Sequence, residues 1–121
     1  MSKKILIIDD SATFNATLQA ALKNESFELV TAFTGEEGVK LAATEKPDLA
    51  IIDTLLPGIN GFDTCAKIRS SSDPNLKILV ITGSVDAIDT ARARKSGADD
   101  FCVKTKDINL IVVSAKKLLG Q

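Results

Sequence analysis

Apolar and polar positions along the chain fall into two rhythms that take turns. Lys4 to Ile8, Leu49 to Ile52 and Leu76 to Thr82 are short, nearly unbroken apolar runs, the habit of strands buried on both faces of a parallel sheet. Phe27 to Phe33 is interrupted by Glu28 and Thr31, which suits a strand nearer the sheet edge. Asp99 to Lys104 reads as the last strand. Between these runs the apolar positions recur at helical spacing. Phe14, Leu18 and Leu22 form one stripe; Val39 and Ala42 or Ala43 form a weaker one; Phe62, Cys65 and Ile68 form a third. Ile88 and Ala91 are expected to face inward from a helix over Val85 to Ser96, and Ile108, Ile111, Ala115 and Leu118 or Leu119 from the final helix.

The polar punctuation agrees with this division. Ser11 is a plausible N-cap, and Asn24 a stop for the helix it opens. Thr34 and Glu37 form a capping-box pattern. Gly35 and Gly38 are expected to weaken the helix that follows, which ends at Lys46, Pro47 and Asp48. Gly61 to Ser70 reads as a helix, Gly97 as a C′ stop, and Asp107 as the cap of the last helix. Strand and helix alternate five times, so the fold class is α/β, a parallel sheet with helices on both faces and right-handed crossovers. A length of 121 residues suits one domain, and no linker or repeat divides it. Residues 1–121 are therefore expected to be a single domain without an output domain.

Composition narrows the function classes. A net charge of -1 and five aromatic residues, all Phe, give neither a basic footprint nor a stacking surface, so no nucleic-acid partner is expected. No apolar run is long enough to cross a bilayer and no signal-peptide pattern opens the chain, so a cytoplasmic location without membrane insertion is expected. The two cysteines, Cys65 and Cys102, belong to no CxxC pair, and there is no histidine, which argues against zinc and removes the commonest general base. Both cysteines are expected to be small buried hydrophobes.

Candidate chemistry sits at the strand ends. Asp9 and Asp10 follow the first strand, Asp53 ends the third, Thr82 the fourth, and Lys104 the fifth. In a parallel sheet all carboxyl ends share one edge, which is where open α/β sheets place ligands. Singly these residues have plain structural roles: Asp10 a helix cap, Thr82 a turn residue, Lys104 a solvated charge. Their convergence on one rim is what points to chemistry. Clustered carboxylates repel, and a hard divalent cation such as Mg²⁺ relieves the repulsion while keeping several waters. A carboxylate can act as a nucleophile toward phosphorus. Lys104 can pair with a phosphate oxygen as a point charge, and Thr82 can donate to another.

With these residues in view, the whole chain resembles the CheY-like receiver domain of bacterial two-component response regulators. The resemblance rests on Asp9-Asp10, on the stretch from Asp53 through Thr54, Leu55, Leu56, Pro57, Gly58, Ile59 and Asn60 to Gly61, on Thr82-Gly83, and on Phe101-Cys102-Val103-Lys104. It implies a flavodoxin-like three-layer fold with strand order 2-1-3-4-5 and five helices. It implies that Asp53 accepts a phosphoryl group from a histidine kinase or phosphotransfer protein. Asp10, Asp53 and the Leu55 carbonyl would ligate Mg²⁺, with Asp9 acting through a water. Thr82 and Lys104 would bind the phosphoryl oxygens. Thr82 would move toward the phosphate and Phe101 turn inward, changing the partner affinity of the face made by the fourth helix, fifth strand and fifth helix. Gly83 would leave the backbone room for that approach. In the family the chain resembles, the positions of Leu55 and Ser84 are ones that tune dephosphorylation. One residue departs from the pattern: Thr105 stands where the family usually has Pro, and a trans bond is expected there.

The expected role is a phosphorylation-dependent switch acting on an unknown downstream protein. It promotes its own phosphorylation and hydrolysis and is not a turnover enzyme. The alternative is a receiver-like scaffold that binds partners regardless of phosphate. A haloacid-dehalogenase-like hydrolase would carry a second Asp two residues after the nucleophile, where Leu55 stands. A nucleotide or flavin module would need a glycine-rich phosphate loop, which is missing.

Overall fold

The computed structural model describes residues 3–71, 73–83, 87–104 and 107–121, with residues 87–90 described by their backbone alone. Ser84, Val85 and Thr105 lie outside the described residues, as does the side chain of Ile88. Strands β1 (Lys4–Ile8), β2 (Glu28–Ala32), β3 (Leu49–Asp53), β4 (Lys77–Thr82) and β5 (Asp100–Val103) alternate with helices α1 (Ala12–Lys23), α2 (Gly35–Glu45), α3 (Gly61–Ser71), α4 (Ala87–Lys95) and α5 (Asn109–Leu118). The sheet runs β2-β1-β3-β4-β5 and every pairing is parallel, which is the expected flavodoxin-like order.

Strand alternation splits the core in two. Ile5, Ile7, Leu49, Ile51, Leu79 and Ile81 point to the face covered by α1 and α5 through Leu18, Leu22, Ile111, Val112 and Ala115. Leu6, Ile8, Ala50, Ile52, Ile78 and Val80 point to the face covered by α2, α3 and α4 through Ala42, Phe62, Cys65, Ile68 and Ala93. All five residues of β3 are buried, as its apolar run required, whereas β2 is only partly buried at the edge.

The helix ends follow their chemistry. Ser11 Oγ accepts the Phe14 N–H at 3.2 Å, and Thr34 Oγ1 accepts the Glu37 N–H at 3.1 Å. Lys46 ends α2 in the left-handed region at φ 50°, and Gly97 takes φ +104° after α4. Several details differ from the sequence reading. Ala93, not Ala91, turns inward from α4: Ala93 is buried and Ala91 exposed. Asp107 lies one residue further out than an N-cap: Ile108 takes that position, and Asp107 Oδ1 accepts the Asn109 N–H at 3.0 Å. Gly38 has a positive role, since a Cβ there would run into Ile8 of β1, so the glycine lets α2 lie close on the sheet. Cys65 is buried, while Cys102 is only half-buried.

Candidate functional site

The carboxyl ends of β1, β3, β4 and β5 meet on one rim. Asp9 follows Ile8 and is fully buried. Its Oδ1 accepts the Ser11 N–H at 2.8 Å, and its main-chain carbonyl accepts Asn15 Nδ2 at 2.8 Å, so the start of α1 fixes it twice. Asp10 is exposed. Asp53, the last residue of β3, is 5% exposed, and its Oδ1 accepts the Leu55 N–H at 3.2 Å. The next turn closes tightly: Gly61 N donates to Thr54 O at 3.1 Å, and a Cβ at Gly61 would collide with the Asp53 carbonyl. Only glycine lets α3 begin this close to the acid.

Lys104 spans the two buried carboxylates. Its Nζ lies 2.8 Å from Asp9 Oδ2 and 3.2 Å from Asp53 Oδ2, with 22% of its side chain exposed. The Asp9 contact is an ion pair without hydrogen-bond alignment, because Asp9 Oδ2 accepts no hydrogen bond among the described residues. A ligand oxygen from each of Asp9, Asp10 and Asp53 falls within 4.8 Å of the others. The expected carboxylate set and the ammonium therefore do converge.

Burial, followed by the Asp9 charge, raises the Asp53 pKa above the ordinary 3.8, against the Leu55 N–H and Lys104, which lower it. For Lys104, burial works to lower the pKa, but pairing with Asp9 and Asp53 outweighs it and the net direction is up. Each group's charge favours the charged form of the other, while burial at the rim opposes both. This donor set fits Mg²⁺: hard oxygens, excess negative charge and one exposed acid on an open edge.

Thr82 ends β4, is buried, and borders a shallow depression with Thr54, Leu55, Asn60, Phe62 and Arg92. Phe101 is half-buried against the cluster under α3 and α4. Leu55 is 76% exposed, so its side chain lies over solvent at the rim. Among the described residues, a Cβ at Gly83 would meet nothing within 4 Å in this conformation. Three residues at the site were not singled out for it. Phe14 was read as core, yet its ring lies 4.2 Å from Lys104 Nζ. Asn15 was passed over, although a polar residue in line with Leu18 and Leu22 on a buried stripe was a usable signal. Arg92, read only as an outer charge, sits 4.5 Å over the Phe62 ring.

The family model for the response regulator receiver domain matches residues 5–116. The chain belongs to this family. Like its relatives, this receiver is a domain of two-component response regulators and serves phosphorylation-dependent signalling. It is 38% identical over 100 residues to the transcriptional regulatory protein AfsQ1 of Streptomyces coelicolor, covering 83% of the receiver and 44% of AfsQ1. It is 33% identical over 104 residues to the DNA-binding response regulator MtrA of Mycobacterium tuberculosis, covering 86% and 45%. The receiver thus spans less than half the length of these curated relatives. A CheY-like receiver domain protein from Methanospirillum hungatei superposes with a TM-score of 0.92 at 26% identity, covering 99% of this chain and 95% of that one. MtrA is described as DNA-binding, so the expected exclusion of nucleic acid is not supported. Among the described residues, no helix is long and apolar enough to cross a membrane.

Proposed function

We propose that Asp53 is the phosphoacceptor of a signalling switch, charged by a histidine kinase or phosphotransfer protein. The observation that carries this reading is the span of Lys104 Nζ between Asp9 and Asp53, at 2.8 and 3.2 Å. An ammonium held there has a second position available once a phosphoryl oxygen offers a better partner. In the reaction, an Asp53 carboxylate oxygen forms a bond to phosphorus as the bond from phosphorus to the donor breaks, and the donor leaves with that electron pair. Lys104 and the Thr82 hydroxyl then neutralise and orient the phosphoryl oxygens. Asp9, Asp10, Asp53 and the Leu55 carbonyl would hold Mg²⁺, which supplies charge neutralisation between the acids and the phosphoryl group. Hydrolysis returns the Asp53 carboxylate when a water oxygen bonds to phosphorus and the bond from phosphorus to the Asp53 oxygen breaks, releasing inorganic phosphate.

The added charge favours the conformation in which Thr82 and Phe101 have moved inward, shifting an equilibrium between states. The surface of α4, β5 and α5 changes its affinity for a downstream partner as a result. Residues 1–121 act as one receiver unit in the cytoplasm, as a switch and not as a catalyst for an outside substrate. The test is labelling by acetyl phosphate with Mg²⁺, read by intact mass. The wild type should gain one phosphoryl group and Asp53→Ala none, with the far-ultraviolet spectrum unchanged. Labelling retained in folded Asp53→Ala would refute the assignment.

A further inference from the structure

We infer that Phe14 is a positioning residue for phosphoryl transfer: its ring face holds the Lys104 ammonium over the two buried carboxylates. The inference rests on the role proposed for Lys104 at this rim. Lys104 Nζ stands 4.2 Å from the Phe14 ring centroid, on the same group that pairs with Asp9 and Asp53. The ammonium therefore meets oxygen and the negative face of an aromatic ring at once. A cation over a ring face is attracted by the ring quadrupole, and the attraction grows as water is excluded.

The backbone that carries the ring is tied to the buried acid. Ser11 Oγ accepts the Phe14 N–H at 3.2 Å, while the Ser11 N–H donates to Asp9 Oδ1 at 2.8 Å. The neighbouring Asn15 Nδ2 donates to the Asp9 carbonyl at 2.8 Å. The start of α1 thus holds the Phe14 backbone in a fixed relation to the Asp9 carboxylate, and Lys104 reaches across from the end of β5 to both residues. A lysine stem has four rotatable bonds and loses much entropy when its head is fixed. The ring limits where the head can go as it moves from Asp53 to a phosphoryl oxygen, because the ammonium can pivot on the ring face without leaving it.

Two measurements test this. In the first, position 14 carries phenylalanine analogues with successively more ring fluorines, which drain the negative face at nearly constant shape. The rate of labelling by acetyl phosphate should fall stepwise, by about three- to tenfold at full fluorination. A rate independent of fluorination overturns the inference. In the second, the metal-free protein is examined by NMR without any donor. The Lys104 ε-methylene protons should be shifted upfield by the ring current, and the shift should vanish in Phe14→Leu and persist in Phe14→Tyr. Unshifted methylene protons in the wild type also overturn it. The two proposals fail separately: no labelling of the wild type sinks the phosphoacceptor assignment, and the NMR result then decides the place of Phe14 alone.

Discussion

Removing the ammonium from the rim should cost stability in a way that pH and Mg²⁺ both reverse. In Lys104→Met the stem is kept and the charge is lost. Asp9 and Asp53 are left with carboxylate oxygens within 4.8 Å of each other and little solvent. At an effective dielectric constant of about 20, that pair repels by roughly 3.5 kcal/mol. Breaking a buried pair typically costs about 3–5 kcal/mol, and the partial exposure of Lys104 brings the expectation down to about 2–3 kcal/mol. A ceiling follows from protonation, since the variant can always neutralise one acid. Starting from an ordinary aspartate pKa of 3.8, that escape costs about 1.36 kcal/mol per pH unit, or about 4 kcal/mol near neutrality. The direction with pH is fixed by the same group. The folded-state pKa of Asp53 is raised, so the folded protein holds this proton more tightly than the unfolded chain. Its ionisation penalty is therefore present above the raised pKa and relieved as pH falls through it. Without Lys104, one of the forces holding that pKa down is gone, and the relief begins closer to neutrality. Urea unfolding of wild type and Lys104→Met in EDTA, at neutral and mildly acidic pH, and again in millimolar Mg²⁺, measures each part. The loss should be largest at neutral pH in EDTA, and smaller in acid or with Mg²⁺. A loss below about 0.5 kcal/mol, or one indifferent to both pH and cation, would refute the charge balance described for the rim.

Other perturbations probe separate parts of the same account. Asp53→Asn removes a buried charge that burial and Asp9 disfavour, so the metal-free variant should melt at least as high as the wild type; a lower melting temperature in EDTA counts against it. The raised pKa of Lys104 gives the wild type stability that is intact below the ordinary 10.5 and lost as pH climbs through the folded value; an alkaline titration of Lys104→Met should lack that limb. Gly38→Ala must displace Ile8, and overpacking of about 1–3 kcal/mol outweighs the helix-propensity gain of about 1 kcal/mol; an unchanged urea midpoint would show that α2 can move off the sheet freely. Leu55, 76% exposed at the rim, is expected to hinder attacking water, so Leu55→Asn should shorten the aspartyl-phosphate half-life, and equal half-lives would remove that role.

The parts of the molecule that were legible in the sequence are those set by local rules. The run from Leu49 to Asp53 announced a strand buried on both faces, and it is buried at every position. Because all five strands are parallel, the acids at the ends of β1 and β3 and the lysine after β5 had to share an edge, whatever the loops did. What pattern could not supply was side-chain aim. Phe14 and Leu18 have the same helical phase, yet Leu18 is fully buried while Phe14, at the open end of α1, turns its ring to Lys104. The register of α4 was misjudged because Ala91 and Ala93 are equally apolar and its other positions are mostly polar, leaving little stripe to read. Gly38 looked like a weakness because helix propensity sees only its own helix, whereas Ile8 of β1 decides what fits there.

The two ends of the sheet manage charge in opposite ways, and this separates what must stay from what can switch. At the end away from the rim, Arg69 is satisfied by the chain itself. Its Nε and Nη2 donate to Gly97 O at 3.1 and 2.8 Å, Nη1 to Leu76 O at 2.7 Å, and Nη2 to Asp99 Oδ2 at 2.8 Å. The same Asp99 oxygen accepts the Ile78 N–H at 2.8 Å, so α3, β4 and the turn into β5 are tied through one planar cation. No outside ion is needed to balance that network, and it has no reason to respond to one. At the rim, among the described residues, one ammonium stands against three acids, one of which carries a raised pKa. Such an arrangement is left short of positive charge, and a cation or a new set of phosphoryl contacts acts there with the largest differential effect.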